Sequence, residues 1–425
     1  MTAAHTGSPG AQRRRVLIGV GGGIAAYKVC SVIRHFTEAG HEVRVVPTQS
    51  ALKFVGAATF EALSGNPVST DVFDDVDQVA HVRLGQGADL VVIAPATADL
   101  MARAASGRAD DLLTASLLTV RCPVLVVPAM HTEMWEHAAT QANVSTLRER
   151  GITVMTPASG RLTGTDSGRG RLPDPQEIAM IGELLLERPD ALPYDLAGVR
   201  VVISAGGTRE PLDPVRFLGN RSSGKQGFAL ARAAAQRGAI VTVVAGSTAD
   251  PGDPAGVEII RVASAQELAD EMTKRAAEAD VVIMAAAVAD FRPVTVSEAK
   301  IKKGESGPAP IELTTNPDIL RGLVESRTAG RIPAQTVIVG FAAETGDETG
   351  GVLDHGRTKL RRKGCDLLVV NAVGDGKAFG TEDNTGWLLS SGGTETALPF
   401  GSKTLMSSRI LDEVRALVPD GDGTA

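Results

Sequence analysis

Aromatic residues and cysteines are scarce in this chain of 425 residues, and both scarcities constrain the protein. Aromatic side chains make up only 3% of the sequence, so the cores must be built from Ala, Val, Leu and Ile. The three cysteines, Cys30, Cys122 and Cys365, lie far apart. No pair of them has metal-ligand spacing and no disulfide framework is suggested, which fits a reducing cytoplasm.

Long apolar runs and excess positive charge are also missing. The basic start of the chain leads into an apolar run of only five residues, 16–20. This run is too short for a secretory signal or a membrane span, so no membrane partner is expected. The net charge of −7 argues against a nucleic-acid partner.

The length and local order of the chain predict two domains of about 200 residues each. A strand, a glycine turn, a helix and a second strand occupy residues 16–48, and the same order restarts at residue 199. Between them, residues 187–198 contain two prolines and several charges. We therefore expect a flexible tail at 1–15, one domain at 16–190 and a second at 191–425. The strand–helix–strand units predict an α/β fold with two doubly wound parallel-sheet (Rossmann-like) domains, the first flavodoxin-like.

A weak internal repeat supports two related architectures. Residues 88–99 (ADLVVIAPATAD) and 279–290 (ADVVIMAAAVAD) are identical at seven of twelve positions, and 365–375 is a looser copy. In each copy an acidic residue precedes an apolar strand that ends in a loop of small residues. Such loops lie at the carboxyl ends of parallel strands, where doubly wound sheets bind ligands. The alternative is that small residues only allow close helix–sheet packing.

The first glycine loop, residues 21–23, is typical of a phosphate site at a helix N-terminus. Ile24 occupies the position of the last glycine of a dinucleotide fingerprint, and the second strand does not end in an acidic residue. NAD is therefore disfavoured. FMN, which has a phosphate but no second ribose, fits better.

A second glycine-containing segment, residues 219–226 (GNRSSGKQ), is close to a P-loop but departs from it. Gln226 stands where a Ser or Thr should bind magnesium, and the segment begins about fifteen residues after its strand, whereas a P-loop follows its strand directly. A P-loop kinase is thus rejected. Two interpretations stay open: a surface loop with helix-capping serines, or a different nucleotide loop.

Longer motifs resemble two enzyme families. VGGGIAAYK (20–28), ADLVVIAPATADL (88–100), VPAMHTEMW (127–135) and PASGRLTGTDSGRGRLPDP (157–175) resemble flavin-dependent phosphopantothenoylcysteine decarboxylases. SAGGTREPLDPVRFLGNRSSGKQG (204–227), AAAVADFRP (285–293), AKIKK (299–303), NPDIL (316–320), GFAAET (340–345) and KLRRKG (359–364) resemble phosphopantothenate–cysteine ligases. The order is that of fused bacterial bifunctional enzymes, and the resemblance extends from Val16 to about Leu417.

The resemblance implies two consecutive steps of coenzyme A biosynthesis. The C-terminal domain would activate 4′-phosphopantothenate with CTP, with Mg²⁺ present, and join the acyl-cytidylate to cysteine. The N-terminal domain would oxidise the cysteinyl thiol with FMN, release carbon dioxide and return the electrons, giving 4′-phosphopantetheine. Homo-oligomers are also implied, with decarboxylase trimers that share the flavin site and with ligase dimers.

In the decarboxylase domain, His81 matches the catalytic histidine of the family. His131 stands where many relatives carry an Asn that binds the leaving carboxylate. The positions that match flavin contacts are Gly22, Gly23, Ile24, Thr48, Phe54, Pro95, Ala96 and Thr97. Without the motif, a lone His beside Val79 and Val82 would be read as structural.

In the ligase domain, Asn220 matches the residue that stabilises the acyl-cytidylate, and Lys300 matches a lysine on the CTP phosphates. Arg216 is a candidate for the substrate phosphate because of its charge and loop position. Further CTP contacts are implied at Met284, Ala285, Ala286, Asp290, Pro317, Asp318, Ile319, Leu320, Phe341, Lys359 and Lys363. The residues leave the magnesium ligands unassigned.

One family feature is missing. Many relatives have a cysteine in the flap after PASG that protonates the enethiol, and Gly164 occupies that position. Asp166 could donate the proton if burial raised its pKa, or Thr163 or Thr165 could hold a water that does so. Taken alone, Asp166 would be read as a turn residue.

Two other functions remain as alternatives. The chain could be a flavin-binding regulatory subunit with a degenerate ligase domain, although intact Asn220, Lys300 and His81 disfavour this. It could instead decarboxylate a cysteine at the end of a precursor peptide, but a peptide substrate would not need the fused ligase domain.

Overall fold

The computed structural model describes residues 13–70, 79–162, 166–249, 252–302, 310–344, 351–372 and 383–419. The chain divides into two compact units between Tyr194 and Asp195, named here the first and second units.

The first unit alternates strands and helices. Its strands are β1 (Arg15–Val20), β2 (Glu42–Pro47), β3 (Leu90–Ala96), β4 (Val124–Pro128), β5 (Thr153–Val154), β6 (Ala158–Arg161) and β7 (Ser167–Arg171). Its helices are α1 (Ala26–Glu38), α2 (Ala57–Ser64), α3 (Ala80–Gly87), α4 (Ala98–Ser106), α5 (Leu112–Leu117), α6 (Thr132–Glu136), α7 (Ala138–Glu149) and α8 (Pro175–Glu187), with a 3₁₀ turn at Ala51–Lys53. The predicted strand, helix and strand at the start of the chain are confirmed.

The strands of the first unit form a parallel sheet in the order β2-β1-β3-β4-β5. This is the flavodoxin-like order, so the predicted fold class is confirmed. The central strand β3 is buried along its whole length, as expected for a strand covered by helices on both faces. Strands β6 and β7 form a separate antiparallel hairpin.

The second unit is a larger version of the same design. Its strands are β8 (Arg200–Ala205), β9 (Arg209–Pro211), β10 (Phe217–Gly219), β11 (Ile240–Ala245), β12 (Val257–Arg261), β13 (Val281–Met284), β14 (Phe291–Pro293), β15 (Leu313–Thr315), β16 (Val337–Glu344), β17 (Leu367–Ala372), β18 (Asp383–Ser390) and β19 (Glu395–Ser402). Its helices are α9 (Lys225–Gln236), α10 (Ala265–Ala276), α11 (Ile319–Thr328), α12 (Val352–Lys363) and α13 (Lys403–Leu417).

The main sheet of the second unit has the order β12-β11-β8-β13-β16-β17-β18-β19. The first six of these strands are parallel, which confirms a doubly wound domain, and β18 and β19 add an antiparallel edge that the sequence did not predict. Helices α10, α11 and α12 pack on one face, in a core that includes Val202 of β8. Alternate side chains of a strand point to opposite faces, and Gly227 of α9 packs against Ala205, so α9 lies on the other face together with α13.

The internal repeat has a structural cause at the amino edge of both sheets. Asp89 accepts a hydrogen bond from the backbone N–H of Arg15 at 2.7 Å, and Asp280 accepts one from Arg200 at 2.8 Å. In the third copy Asp366 accepts the N–H of Ile338 at 2.7 Å. Each acid therefore starts one strand and fixes the first residues of its parallel neighbour.

Both cores are aliphatic, as the scarcity of aromatic residues predicted. The largest buried side chains of the first unit include Ile18, Ile33 and Leu90, with Phe36 and Phe60. None of the helices in the described ranges has the length and apolar content needed to cross a bilayer.

Helix α8 is attached to the end of α1 by a cluster of three titratable groups. Glu183 accepts hydrogen bonds from His35 at 3.2 Å and His41 at 3.3 Å. Burial alone would raise the pKa of Glu183, but the two histidines outweigh it and lower this pKa from 4.5 to about 2. The folded state therefore stabilises the carboxylate form.

We expect Glu183→Gln to destabilise the first unit at pH 6, by about 1 kcal/mol or less because the cluster is partly exposed. A carboxyl whose pKa is lowered by folding contributes stability above its unfolded pKa. The difference from wild type should therefore shrink as pH falls from 4.5 towards about 2. Urea unfolding of both proteins across this range measures it, with Glu149→Gln, an exposed glutamate on α7, as the control. A difference independent of pH would contradict the assignment.

Candidate active sites

The glycine loop of the first unit is tightly held at the carboxyl edge of the sheet. The N–H of Gly21 donates to the carbonyl oxygen of Pro95 at 3.1 Å. A Cβ added to Gly21 would lie 2.3 Å from that same oxygen, and one added to Gly22 would lie 2.3 Å from the Cβ of Ser50. Larger residues would displace the loop, so its backbone N–H groups are available only with glycine here.

The other predicted flavin residues surround this loop. Thr48 follows β2, is buried, and donates its N–H to Val20 at 2.9 Å. Thr97 begins α4, where its side chain accepts the N–H of Leu100 at 3.3 Å. Pro95 and Ala96 close β3 beside it. The structure thus brings the predicted residues from three strand ends to one edge.

An exposed apolar patch adjoins the loop. Ile24 is 71% exposed, Tyr27 60% and Phe54 48%. Three large apolar side chains open to solvent so close to a phosphate-type loop mark a binding surface, for a planar ring or for another protein chain.

His81 lies in the first turn of α3. This helix ends at Gly87, next to Arg15 at the amino edge of the sheet, so its start with His81 is directed towards the carboxyl edge, where the glycine loop lies. The Nδ1 atom of His81 is buried and has no hydrogen-bond partner in the described part of the chain. Val79, two residues before His81, has a φ of 46°, a strained value for a β-branched residue. An unpaired buried ring nitrogen beside a strained residue is typical of functional rather than structural positions.

The β6–β7 hairpin packs against the loop that carries His131. The N–H of Met130 donates to the carbonyl oxygen of Gly170 at 2.9 Å. His131 is exposed at the start of α6 and makes no capping hydrogen bond with its side chain. Asp166 is also exposed, so burial of its carboxyl would have to come from substrate or another chain. Thr163, Gly164 and Thr165 lie outside the described residues.

Lys28 is a residue that the sequence reasoning did not single out. Burial lowers the pKa of its ammonium group, the positive charge of Arg171 lowers it further, and Asp174 opposes them. Lys28 belongs to α1 and Arg171 to the end of the hairpin, so the two cations approach each other only in the fold. Two neighbouring cations favour an anionic ligand. The signal in the sequence was the lysine that ends the motif VGGGIAAYK.

Neither cysteine of the first unit lies in a setting that activates a thiol. Burial raises the pKa of Cys30, on α1, and raises that of Cys122 to about 11. Cys122 also precedes β4, at the amino edge of the sheet, opposite the glycine loop.

In the second unit, backbone hydrogen bonds join three strand ends. The N–H of Gly207 donates to Ser247 at 2.9 Å, and the N–H of Ala287 donates to Gly206 at 2.8 Å. Ser204 of β8 accepts the N–H of Ala286 at 3.1 Å. The predicted residues Met284, Ala285 and Ala286 therefore lie beside the loop that follows β8.

Asn220 follows β10 and points towards the same edge. Its side-chain amide donates to the carbonyl oxygen of Val288 at 3.1 Å. Asp290 is exposed a few residues further on, and its carbonyl oxygen accepts the N–H of Asn316 at 2.9 Å. The segment that leads from Asn316 through Pro317 into α11 is thereby held next to Asp290.

The predicted lysines take different positions. Lys363 pairs with Asp318, which caps α11, so α11 and α12 meet there. Burial alone would raise the pKa of Asp318, but Lys363, the backbone N–H of Arg321 and the charge of Arg362 together outweigh it and the pKa is lowered. Lys359 pairs with Glu344 at 2.9 Å, at the end of β16. Lys300 is exposed on an irregular segment after β14.

A cavity of about 150 Å³ lies at the carboxyl edge of this sheet. Its lining includes Ser222, Lys225, Ala286, Phe341, Asn371 and Lys403. The Oδ1 atom of Asn371 is buried and lacks a hydrogen-bond partner among the described residues. Phe341 and Asn371 have the opposite orientation to the core residues Ile338 and Val370, so the cavity lies on the α9 face.

The interpretation of Ser222 and Ser223 as helix caps is wrong. Helix α9 begins after Gly224, whose φ is 79°, and no side chain caps it. Both serines line the cavity instead. This favours the other interpretation of the segment, a ligand loop. Within the described ranges, no group of three His, Cys, Asp or Glu residues is arranged to hold a metal ion.

Comparisons with known proteins agree with this division. Residues 6–182 match the family model Flavoprotein, and residues 196–417 match the model of the DNA/pantothenate metabolism flavoprotein C-terminal domain. A Mycobacterium tuberculosis relative named coenzyme A biosynthesis bifunctional protein CoaBC is 68% identical over 401 residues, covering 94% of this chain and 96% of that protein. Relatives of the same name are 66% identical in Mycolicibacterium smegmatis (97% and 99% covered) and 42% identical in Vibrio vulnificus (95% and 98% covered).

The fold and the two sites define a bifunctional enzyme with a flavoprotein domain and a ligase domain. The chain belongs to the family of coenzyme A biosynthesis bifunctional proteins, with phosphopantothenate–cysteine ligase and phosphopantothenoylcysteine decarboxylase activities. The regulatory-subunit and peptide-decarboxylase alternatives are therefore set aside.

We expect Gly21→Ala to weaken flavin binding if the glycine loop holds the flavin phosphate. The added Cβ would overlap the Pro95 carbonyl oxygen, a backbone atom that cannot swing away. Overpacking of this kind costs about 1–3 kcal/mol, so flavin affinity should fall about tenfold to a hundredfold. Flavin absorbance per purified chain measures the effect. Gly56→Ala is the control, since its Cβ would meet nothing within 4 Å. Equal flavin content in both variants would contradict the prediction.

Proposed function

We propose that the second unit joins 4′-phosphopantothenate to cysteine through an acyl-cytidylate made with CTP, and that the first unit decarboxylates the product with bound FMN in the cytoplasm. The observation that carries the proposal is that each sheet gathers its motif residues at one carboxyl edge. His81 and the glycine loop share that edge in the first unit, and Asn220, Asp290 and the cavity share it in the second.

The ligase step needs stabilisation of charge on the carboxylate and on the phosphates. One N–H of the Asn220 amide donates to Val288, which orients the group and leaves the other N–H for the oxyanion of the acyl transfer. Lys300, Lys359 and Lys363 would offset charge on CTP. Mg²⁺ typically uses one or two carboxylates together with substrate phosphates, and the exposed Asp290 suits that role.

The two faces of the second sheet favour separate places for the two large substrates. Residues 317–320, Lys359 and Lys363 belong to α11 and α12 and suit the nucleotide. The cavity on the α9 face suits the phosphorylated acid. Lys225 and the N-terminus of α9 favour its phosphate, and the unpaired Asn371 oxygen favours its hydroxyl or amide N–H.

The flavin site fits FMN because only glycine leaves room at the loop and the apolar patch adjoins it. Bound FMN would supply reversible two-electron redox chemistry. His81, with its free Nδ1, would exchange a proton with the thiol or carboxylate of the substrate. Lys28 and Arg171 would attract the anionic substrate, and His131 would donate a hydrogen bond to its carboxylate.

Self-association is part of the proposal. Ile24, Tyr27 and Phe54 are exposed at the flavin loop, as expected if a second copy completes a shared site in a trimer. In the second unit the small β9–β10 and β14–β15 sheets expose Phe217, Phe291 and Leu313, which favours burial in a dimer.

We expect the two activities to be separable by single substitutions. With 4′-phosphopantothenate, CTP, Mg²⁺ and cysteine, wild type should release 4′-phosphopantetheine, detected by mass spectrometry. Asn220→Asp should slow ligation about a hundredfold or more because it places a carboxylate where an oxyanion develops. It should leave decarboxylation of supplied phosphopantothenoylcysteine intact. His81→Asn should instead slow decarboxylation and leave ligation intact.

The control is flavin content and thermal stability, which should match wild type in both variants. Loss of both activities in either folded variant would contradict separate sites. Faster ligation with ATP than with CTP, judged by kcat/KM, would contradict the nucleotide assignment.

We expect the decarboxylase to need no cysteine side chain. A variant with Cys30, Cys122 and Cys365 all changed to alanine should still release saturated 4′-phosphopantetheine, because none of them faces the flavin edge with a lowered pKa. Asp166→Asn should instead slow product release if its carboxyl is the proton donor. Accumulation of the oxidised enethiol with reduced flavin in the triple variant would contradict this.

A further inference from the structure

Lys300 sits on a segment that neither helix nor strand supports. Residues 294–302 follow β14 without regular structure, and the Lys300 side chain is exposed. A lysine has a long, flexible side chain, so the location of its ammonium group depends on where the backbone is fixed. The contacts that fix this backbone therefore decide where the charge can act.

The contacts that fix the backbone around Lys300 come from the turn between β9 and β10, while the start of the segment is held by the N–H of Val294, which donates to the carbonyl oxygen of Glu312 at 3.0 Å. The N–H of Ser297 donates to the carbonyl oxygen of Leu212 at 3.0 Å. The N–H of Ile301, the residue after Lys300, donates to the carboxylate of Asp213 at 3.1 Å. Arg216 donates to the carbonyl oxygen of Ile301, also at 3.1 Å.

Asp213 is the centre of this arrangement. Its side chain is 0% exposed and pairs with Arg216 at 3.3 Å. It also accepts the backbone N–H groups of Val215 and Arg216, each at 2.8 Å. Burial alone would raise its pKa, but the N–H groups of Val215, Ile301 and Arg216 and the Arg216 charge outweigh it, so the pKa is lowered. Asp213 is therefore a buried carboxylate whose charge is balanced by Arg216 and by three backbone N–H groups, and it is not exposed to solvent.

The turn has a second connection to the site. Strand β10 leaves this turn and ends at Gly219, immediately before Asn220. One carboxylate therefore joins the hairpin that presents Asn220 to the segment that presents Lys300. Arg216 is predicted above as a phosphate ligand, but at least one of its N–H groups donates to Ile301 and so also joins the hairpin to this segment.

We propose that Asp213 is a positioning residue of the ligase, which holds the Lys300 segment where the ammonium group meets the phosphates of the nucleotide. The proposal rests on the assigned role of Lys300. Reacting groups displaced by about 1 Å can lose up to a hundredfold in rate. Loss of the Asp213 contact should accordingly reduce use of CTP and leave the decarboxylase unchanged.

A double-mutant cycle in the full chain tests this. Asp213→Asn should lower kcat/KM for CTP about tenfold to a hundredfold, with KM for cysteine unchanged. In a Lys300→Ala background the same substitution should have no further effect, because the group it positions is already gone. In an Asn220→Ala background its effect should persist.

Two further variants keep the test decisive. Ile301→Pro removes the N–H that Asp213 accepts but retains the carboxylate, and it should reproduce the loss if Asp213→Asn fails to fold. Asp366→Asn is the matched control, since Asp366 likewise accepts a backbone N–H and an Arg contact but at the opposite edge of the sheet. It should lower stability and leave KM for CTP unchanged.

Unchanged kcat/KM for CTP in Asp213→Asn, or an equal loss in the Lys300→Ala background, would overturn the proposal. Wild-type activity of Lys300→Ala alone would instead overturn the assigned role of Lys300. An absence of ligation by wild type would overturn the proposed function itself, so the three failures are distinguishable.

Discussion

The hydrogen bond from a backbone N–H to an aspartate at the amino edge sets the register on which both sites depend. A parallel strand has no hairpin turn to fix its alignment, and a slip by one residue would exchange its two faces. Asp89, Asp280 and Asp366 each bind the start of the neighbouring strand. Once the amino ends are aligned, the carboxyl ends are aligned too, and the residues that follow each strand arrive at fixed positions.

The groups at the carboxyl ends of the strands are mostly main-chain groups. Strands β3, β8 and β11 end in Ala, and Gly follows β1, β8 and β11, so main-chain N–H and carbonyl groups approach one another there without large intervening side chains. Gly207 shows the consequence, because it exchanges two hydrogen bonds with Ser247 while its neighbours Gly206 and Thr208 bond to Ala287. A ligand at such an edge meets a rigid array of peptide dipoles, to which a few side chains, such as Asn220 and Asn371, add direction.

The sequence predicted the structure best where a single stretch of chain determines the local secondary structure. The apolar run 16–20, the glycine turn and the helix up to Gly40 are local features, and each formed as predicted. The repeat acids were noticed, but their partners lie in other strands, so their role appeared only in the fold. Asn371 could not be predicted for the same reason, because the other residues that line the cavity are distant from it in the sequence. The interpretation of Ser222 and Ser223 as helix caps was wrong for another reason. Gly224 takes a left-handed conformation, and α9 begins after it without a side-chain cap.

The second site combines this rigid edge with one irregular segment, and the two need different kinds of support. Asn220 and Met284 to Ala286 inherit their positions from strands whose ladders fix them. Lys300 does not belong to a strand, so no sheet hydrogen bonds fix its position. Its segment is held instead by an aspartate that accepts a backbone N–H, as at the amino edge of the sheets. At the amino edge that bond aligns one strand with another. At Asp213 it aligns an irregular segment with a hairpin, so the position of Lys300 depends on this bond rather than on a sheet ladder. The proposed role of Lys300 at the nucleotide phosphates therefore depends on the same hairpin that presents Asn220.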